Sequence, residues 1–295
     1  MINALGILFL VASGILGAVI GSFLNVVIYR LPRGIGFVKG HSFCPHCEHQ
    51  LKALDMVPVF SYLFLGRTCR YCHAPISARY ALVEVLGAAS ALLCYCALLP
   101  PVAFMLPEGA ASLTSGATAS ELGLLAGWLP PAVPALIAAS ISAALLFIVF
   151  CVLLLVSFID ADTMEIPDSL SIWLAALGLI GMGLGPFAGY DWPAHVIGAF
   201  CVSLPMLLLA LFIPGAFGLG DVKLMAAAGL LLGWQLVIVA VFIGILIGGI
   251  YGIFLLATRR KGRKEHFAFG PALCMGIAVS SLLGNTLMNW YLGFF

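Results

Sequence analysis

From Leu224 to Thr258 the chain carries no charged residue; most of that stretch reads MAAAGLLLGWQLVIVAVFIGILIGGIYGIFLL. A run of about 18 or more apolar residues is what a helix needs to cross a bilayer. The pattern recurs along the chain. Hydrophobic residues make up 63% of the 295 positions and charged residues only 8%, against about 25% charged in an ordinary globular domain. No single soluble core could bury so much apolar chain. The sequence therefore specifies an all-α, polytopic, membrane-embedded fold. A net charge of +1 gives no basic surface that would point to nucleic acid as a partner.

The first run, INALGILFLVASGILGAVIGSFLNVVIY, lacks a basic start and is too long for a signal h-region. It is read as a retained helix. Turn punctuation divides the remaining hydrophobic chain, giving eight expected spans: 4–29, 79–99, 133–159, 169–187, 193–213, 222–233, 235–257 and 268–293. Gly233 is the one candidate for a turn between the sixth and seventh. The basic residues favour eight over seven. Of 13 Lys and Arg, seven fall between Arg30 and Arg79, five lie in TRRKGRKEH (258–266), and the last is Lys223. Eight spans place all of them on one face, which the positive-inside rule makes cytoplasmic, with both termini outside. Segment 100–132 is then an outer loop, rich in Pro, Gly, Ser and Thr, with a helical stretch expected at 119–128.

The first cytoplasmic loop carries Cys44 and Cys47 in CPHC and Cys69 and Cys72 in CRYC. Two thiolates on a C-x-x-C knuckle grip one metal ion, and two knuckles complete a tetrahedral four-sulfur site with no open position. A zinc ion there would be structural, supplying folding free energy to a loop with little core of its own. The βαβ setting of a redox C-x-x-C is missing. His41, His46, His49 and His73 crowd the same loop, either as a replacement ligand or as solvated neighbours. Cys94, Cys96, Cys151, Cys201 and Cys274 are scattered through helices and read as small core residues.

Two acidic sites fall on the cytoplasmic face: FIDADTMEIPDSL (158–170), where the third span ends, and GLGDVK, where the sixth begins. Ionisable groups at an apolar helix end point to function. Two facing aspartates share one proton, so that one activates water while the other polarises a carbonyl. Asp160 and Asp221 are the expected pair. Gly218 and Gly220 would let a substrate backbone approach Asp221. Asp168 reads as the N-cap of the fourth span, Asp162 and Glu165 as solvated, and Lys223 as a snorkelling charge or a partner to a carboxylate. Helix ends assign the roles: Asp160, at a C-terminal end, holds the shared proton, and Asp221, at an N-terminal end near Lys223, is the base.

With these residues in view, the sequence resembles the type IV prepilin peptidases. The resemblance covers nearly the whole chain: GSFLNVVIYRLPRG (21–34), CPHC and CRYC, ISARYALVEVLG (76–87), Asp160 six residues before Pro167, GLGDVKL (218–224) and FGP (269–271). It departs at Asp55-Met56-Val57-Pro58, where the family commonly has Asn before Ile-Pro. The resemblance implies an enzyme of the bacterial inner membrane. It would cleave the leaders of prepilins and type II secretion pseudopilins at the cytoplasmic face. It would then N-methylate the new terminus from S-adenosylmethionine. The family's catalytic aspartates fall on Asp160 and Asp221, and its zinc ligands on Cys44, Cys47, Cys69 and Cys72. No residue is assigned to the methyl donor; Asn25, Arg30, Arg79 and Glu84 lie in matching motifs and have structural readings too. The expected organisation is a first helix (1–30), a zinc loop tied to methyl transfer (31–78), a second helix with the outer loop (79–132), and a peptidase core (133–295). The alternative is an ion- or proton-coupled transporter or scaffold with a zinc-stabilised loop.

Overall fold

The computed structural model describes residues 4–36, 41–44, 46–98, 132–184, 192–213, 217–258 and 268–294. The expected helix at 119–128 and the basic residues at 259–264 lie outside them. The chain forms two compact units, Met1–Ser112 and Leu113–Phe295. Among the described residues both are helical, and the only strand-like pairings are two isolated bridges.

In the first unit, α1 (Ala4–Arg30) packs along its length on α3 (Ala78–Leu98). Glycine permits the crossing: a Cβ on Gly17 would lie 2.4 Å from the Gly87 carbonyl oxygen, so the two backbones touch directly. Close contact between small residues is how helices associate where lipid removes the hydrophobic drive. Between these helices the chain makes a 3-10 turn (Leu31–Arg33), the two cysteine knuckles, a second 3-10 turn (Ala53–Met56) and the short helix α2 (Phe60–Phe64).

The second unit contains α4 (Ala132–Thr163), α5 (Asp168–Leu184), α6 (Trp192–Cys201), α7 (Ser203–Phe212), α8 (Leu219–Leu232), α9 (Trp234–Ala257) and α10 (Gly270–Leu292). Helix α8 is the centre, packed by α5, α6, α7, α9 and α10. Beyond Lys223 its sequence is apolar all round, and eight of its 14 residues are buried; a stretch without a polar face belongs inside.

Every expected span has its helix. Among the described residues, six stretches are long and apolar enough to cross a membrane: Gly6–Arg33, Ala78–Ala97, Ile137–Thr163, Trp192–Phe212, Trp234–Leu255 and Gly270–Leu292. The protein is thus multi-pass. Helix α8, with 14 residues, falls below the length of a full span. The break between α8 and α9 falls at Gly233, whose φ of 79° ends the helix. The expected fifth span is two helices. Pro205 has no N–H for the Cys201 carbonyl, and its ring crowds that group, so the helix is interrupted at Val202. Cys94, Cys151 and Cys274 are buried as expected, whereas Cys96 is exposed and Cys201 half-buried.

Candidate active site and metal centre

The two knuckles are copies of one backbone design, 25 residues apart. The Cys44 N–H donates to His49 O (3.0 Å) as the Cys69 N–H does to Ala74 O (2.9 Å). Glu48 N–H reaches Cys44 O (2.8 Å) as His73 N–H reaches Cys69 O (3.0 Å). Leu51 N–H pairs with Ser42 O (2.9 Å) as Ile76 N–H does with Arg67 O (2.8 Å). The bridges Phe43–Gln50 and Thr68–Pro75 close each loop, and Glu48 and His73 take the same left-handed φ, 56° and 55°.

The result is a four-thiol cluster. The sulfurs of Cys44, Cys47, Cys69 and Cys72 lie within 4.8 Å of one another, Cys44 and Cys69 buried, Cys47 and Cys72 exposed. No histidine joins the cluster among the described residues; His49 instead stacks on Tyr71, ring centroids 3.7 Å apart. Backbone N–H groups of Cys72 and Tyr71 donate to the Cys69 sulfur and pull its pKa down to about 7. The N–H of Ala74 favours the Cys72 thiolate, but burial and the neighbouring thiols outweigh it and push that pKa up to about 11. Four soft donors with no open position fit one tetrahedral ion.

An ion pair ties this cluster to the rest of the loop. Asp55, its side chain 3% exposed, meets Arg70 Nε at 2.8 Å and accepts from the Tyr71 hydroxyl (3.0 Å) and the Lys52 N–H (3.1 Å). Burial pushes the Asp55 carboxyl up. The Lys52 N–H, the Tyr71 hydroxyl and the Arg70 charge outweigh it and hold the carboxyl below its usual range. The loop is also held from the membrane side: Glu84 Oε2 on α3 accepts the Val59 N–H at 2.7 Å. Val59 is β-branched yet sits at φ 63°, a strained conformation for such a residue.

In the second unit three helix ends converge. Helix α4 runs one turn past its expected end, so Asp160 lies on the helix; Met164, at φ 54°, terminates it and donates its N–H to Asp160 O (2.8 Å). Asp160 is 5% exposed and Asp221 half-buried. Asp221 is the third residue of α8, with the N–H of the N-cap residue, Gly218, on the side of its carboxylate. The two carboxyls are close enough to repel each other electrostatically. The third end is that of α10, whose Gly270 N–H donates to Asp160 Oδ2 at 2.9 Å. Phe217 and Phe269, just before α8 and α10, lie with ring centroids 6.0 Å apart.

Several expectations change here. Gly220 makes room for protein: a Cβ there would lie 3.1 Å from the Cβ of Ile166. Asp168 opens α5 and pairs with Lys223 Nζ at 2.7 Å, both side chains more than half exposed. Lys223 is therefore a partner to Asp168, one of the two readings expected of it. The helix-end argument for the roles leaves out a third helix. Asp160 closes α4 but also faces the N-terminus of α10, so each carboxylate meets a helix N-terminus. Asp162 and Glu165 are exposed, as expected. Gly270 was visible in the sequence only as part of FGP; nothing local showed that its N–H would reach a carboxylate 110 positions earlier.

Comparison with known proteins agrees with this architecture. Residues 15–98 match the bacterial peptidase A24 N-terminal domain, and residues 147–253 match the type IV leader peptidase family. The prepilin leader peptidase/N-methyltransferase of Aeromonas hydrophila is 33% identical over 302 residues, covering 92% of this chain and 90% of that protein. Its namesake from Legionella pneumophila is 28% identical over 327 residues, covering 100% and 99%. That of Pseudomonas aeruginosa is 29% identical over 314 residues, covering 97% and 94%. No solved structure matches the chain. Two matched domains in order, and relatives that align along almost their whole length, place this protein in the type IV leader peptidase family.

Proposed function

We propose that the protein cleaves the leader peptides of type IV prepilins and type II secretion pseudopilins at the cytoplasmic face of the bacterial inner membrane, and N-methylates the residue exposed by the cut. Asp160 and Asp221 carry the cleavage. The observation behind this is the convergence of two carboxyls, one of them 5% exposed, at the adjoining ends of α4 and α8. Two facing carboxyls can share one proton. The ionised carboxyl draws a proton from water, which attacks the scissile carbonyl. The protonated one donates a hydrogen bond to that carbonyl oxygen and later returns a proton to the departing amine. Gly270 holds Asp160 in place through its N–H.

The four cysteines would hold a structural zinc ion and so fix the loop between α1 and α3. The unit containing that loop serves methyl transfer, for which S-adenosylmethionine, when bound, supplies the methyl group to the new N-terminal amine. Family membership gives the transporter alternative no support. Incubating the purified chain with a prepilin and S-adenosylmethionine tests the reading by mass spectrometry: the product should lose its leader and gain 14 mass units, about one methyl, at its new N-terminus. An intact prepilin under conditions where the chain is folded and metal-loaded would refute it.

A further inference from the structure

A cavity of about 420 Å³ lies within the first unit, bounded by α1, α3 and the loop, inside the roughly 300–1,000 Å³ range of small-molecule pockets. Its wall includes four charged side chains, Arg30, Asp55, Arg70 and Glu84, two of each sign, together with Asn25 and Tyr62. Asn25, Arg30 and Glu84 are each less than 10% exposed. They sit on helices whose spans are otherwise apolar, where an ionisable group calls for a functional reason.

The fixed geometry of the polar groups is the second observation. Arg30 is anchored by the carbonyls of Gly36 and His41, both at 3.2 Å, and Asn25 by the Tyr80 carbonyl at 3.0 Å. Glu84 uses Oε2 to hold Val59 in its strained conformation. Its other oxygen takes no hydrogen bond from the described residues. Backbone strain of this kind persists where the surroundings impose it and gathers at ligand sites.

Resting on the methyl-transfer reading above, we propose that this cavity binds the methyl donor, a sulfonium nucleoside with an amino-acid tail. The balance of charge carries the choice. An inorganic phosphate or an anionic lipid headgroup calls mainly for cations. S-adenosylmethionine presents a sulfonium, an ammonium, a carboxylate and a ribose diol. Buried acids beside the buried guanidinium group of Arg30 suit that set: an arginine takes the carboxylate, and a carboxylate accepts from the diol or the ammonium. Tyr62 offers a flat apolar face to the adenine. Glu84, whose oxygen remains available, is the acceptor we assign to the donor.

The test uses the full chain in detergent with S-adenosylmethionine itself as probe. Ultraviolet cross-linking should label peptides within 22–30 and 51–84. Glu84→Gln keeps an oxygen for the Val59 N–H while removing the charge, so a purely structural role would survive it. We expect its donor affinity by calorimetry to fall at least about tenfold, with metal content unchanged. Unaltered affinity, or labelling confined to 113–295, overturns the site. If Glu84→Gln loses its metal, the cross-link map of the unsubstituted chain decides. Methylated product with labelling elsewhere overturns the site and leaves the activity standing; no donor binding and no methylation overturns both.

Discussion

The thiol cluster and the carboxyl pair are assembled in opposite ways. Each knuckle is complete within ten residues and repeats its hydrogen bonds at an offset of 25. Local spacing does most of the work, and a metal ion would join the halves. The carboxyl pair has no local unit. It needs the end of α4, the start of α8 and the start of α10, and its hydrogen bond from Gly270 to Asp160 joins positions 110 apart. A locally built site tolerates change elsewhere in the chain. A site built from helix ends depends on how the whole second unit packs.

The sharpest break of that contrast is at the carboxyls. We expect Asp160→Asn and Asp221→Asn each to slow leader cleavage by about 10²–10⁴-fold or more, with metal content by elemental analysis unchanged. Next is the cluster. Replacing Cys44 and Cys69 together with Ser should release the metal, whose binding to small sites contributes on the order of 10 kcal/mol. The loop should then become protease-sensitive and methylation should fall more than cleavage. A double variant that keeps a full equivalent of metal would remove the four-sulfur assignment.

Gly270→Ala tests the long-range bond. Its Cβ would lie 2.6 Å from Asp160 Oδ2, so the carboxyl must move. We expect kcat for cleavage to drop about tenfold or more with KM little changed, since misplacement of a reacting group lowers the chemical step.

Asp55 predicts a pH dependence confined to the first unit. Its folded-state pKa is lowered, so its stabilising contribution is present above the unfolded value of about 3.9 and lost as pH falls through the folded value. The thermal midpoint of Asp55→Asn should therefore lie below that of the unsubstituted chain at pH 5–7, and the gap should narrow as the medium is taken below that range. A gap that widens towards acid would reverse the sign. The smallest effect belongs to the left-handed positions. Glu48→Gly and His73→Gly should each stabilise the loop by up to about 1 kcal/mol, because glycine adopts a positive φ without steric cost. Equal gains at both would confirm that the knuckles are equivalent.

What could be read in advance follows the same division. The cysteine spacing pointed to the cluster because a knuckle is a short-range object. The helix positions followed from hydrophobic runs, down to the turn at Gly233. The interruption at Val202 was carried by Pro205, an ordinary residue in a run otherwise uniformly apolar. Asp160 and Asp221 stood out as charges at apolar ends, but their surroundings did not. The roles drawn from α4 and α8 alone omitted α10, and the influence given to Lys223 omitted Asp168, 55 positions away. Glu84 was visible as a charge in a motif; only the fold shows that it faces a cavity and holds Val59.

The length of α8 has a consequence for how water is supplied. Fourteen residues at about 1.5 Å each reach about 21 Å, some 9 Å short of a hydrocarbon layer of about 30 Å. Wherever the helix sits, at least one end stops short of the headgroups. On the proposed cleavage role, the end that bears Asp221 must be wet for hydrolysis to proceed. A short helix ringed by α5, α6, α9 and α10 thus leaves depth that solvent can occupy without any lipid-facing helix being cut. On that same proposed role, turnover should fall as the surrounding bilayer thickens, since a thicker bilayer lengthens the column of water that must reach the carboxyls.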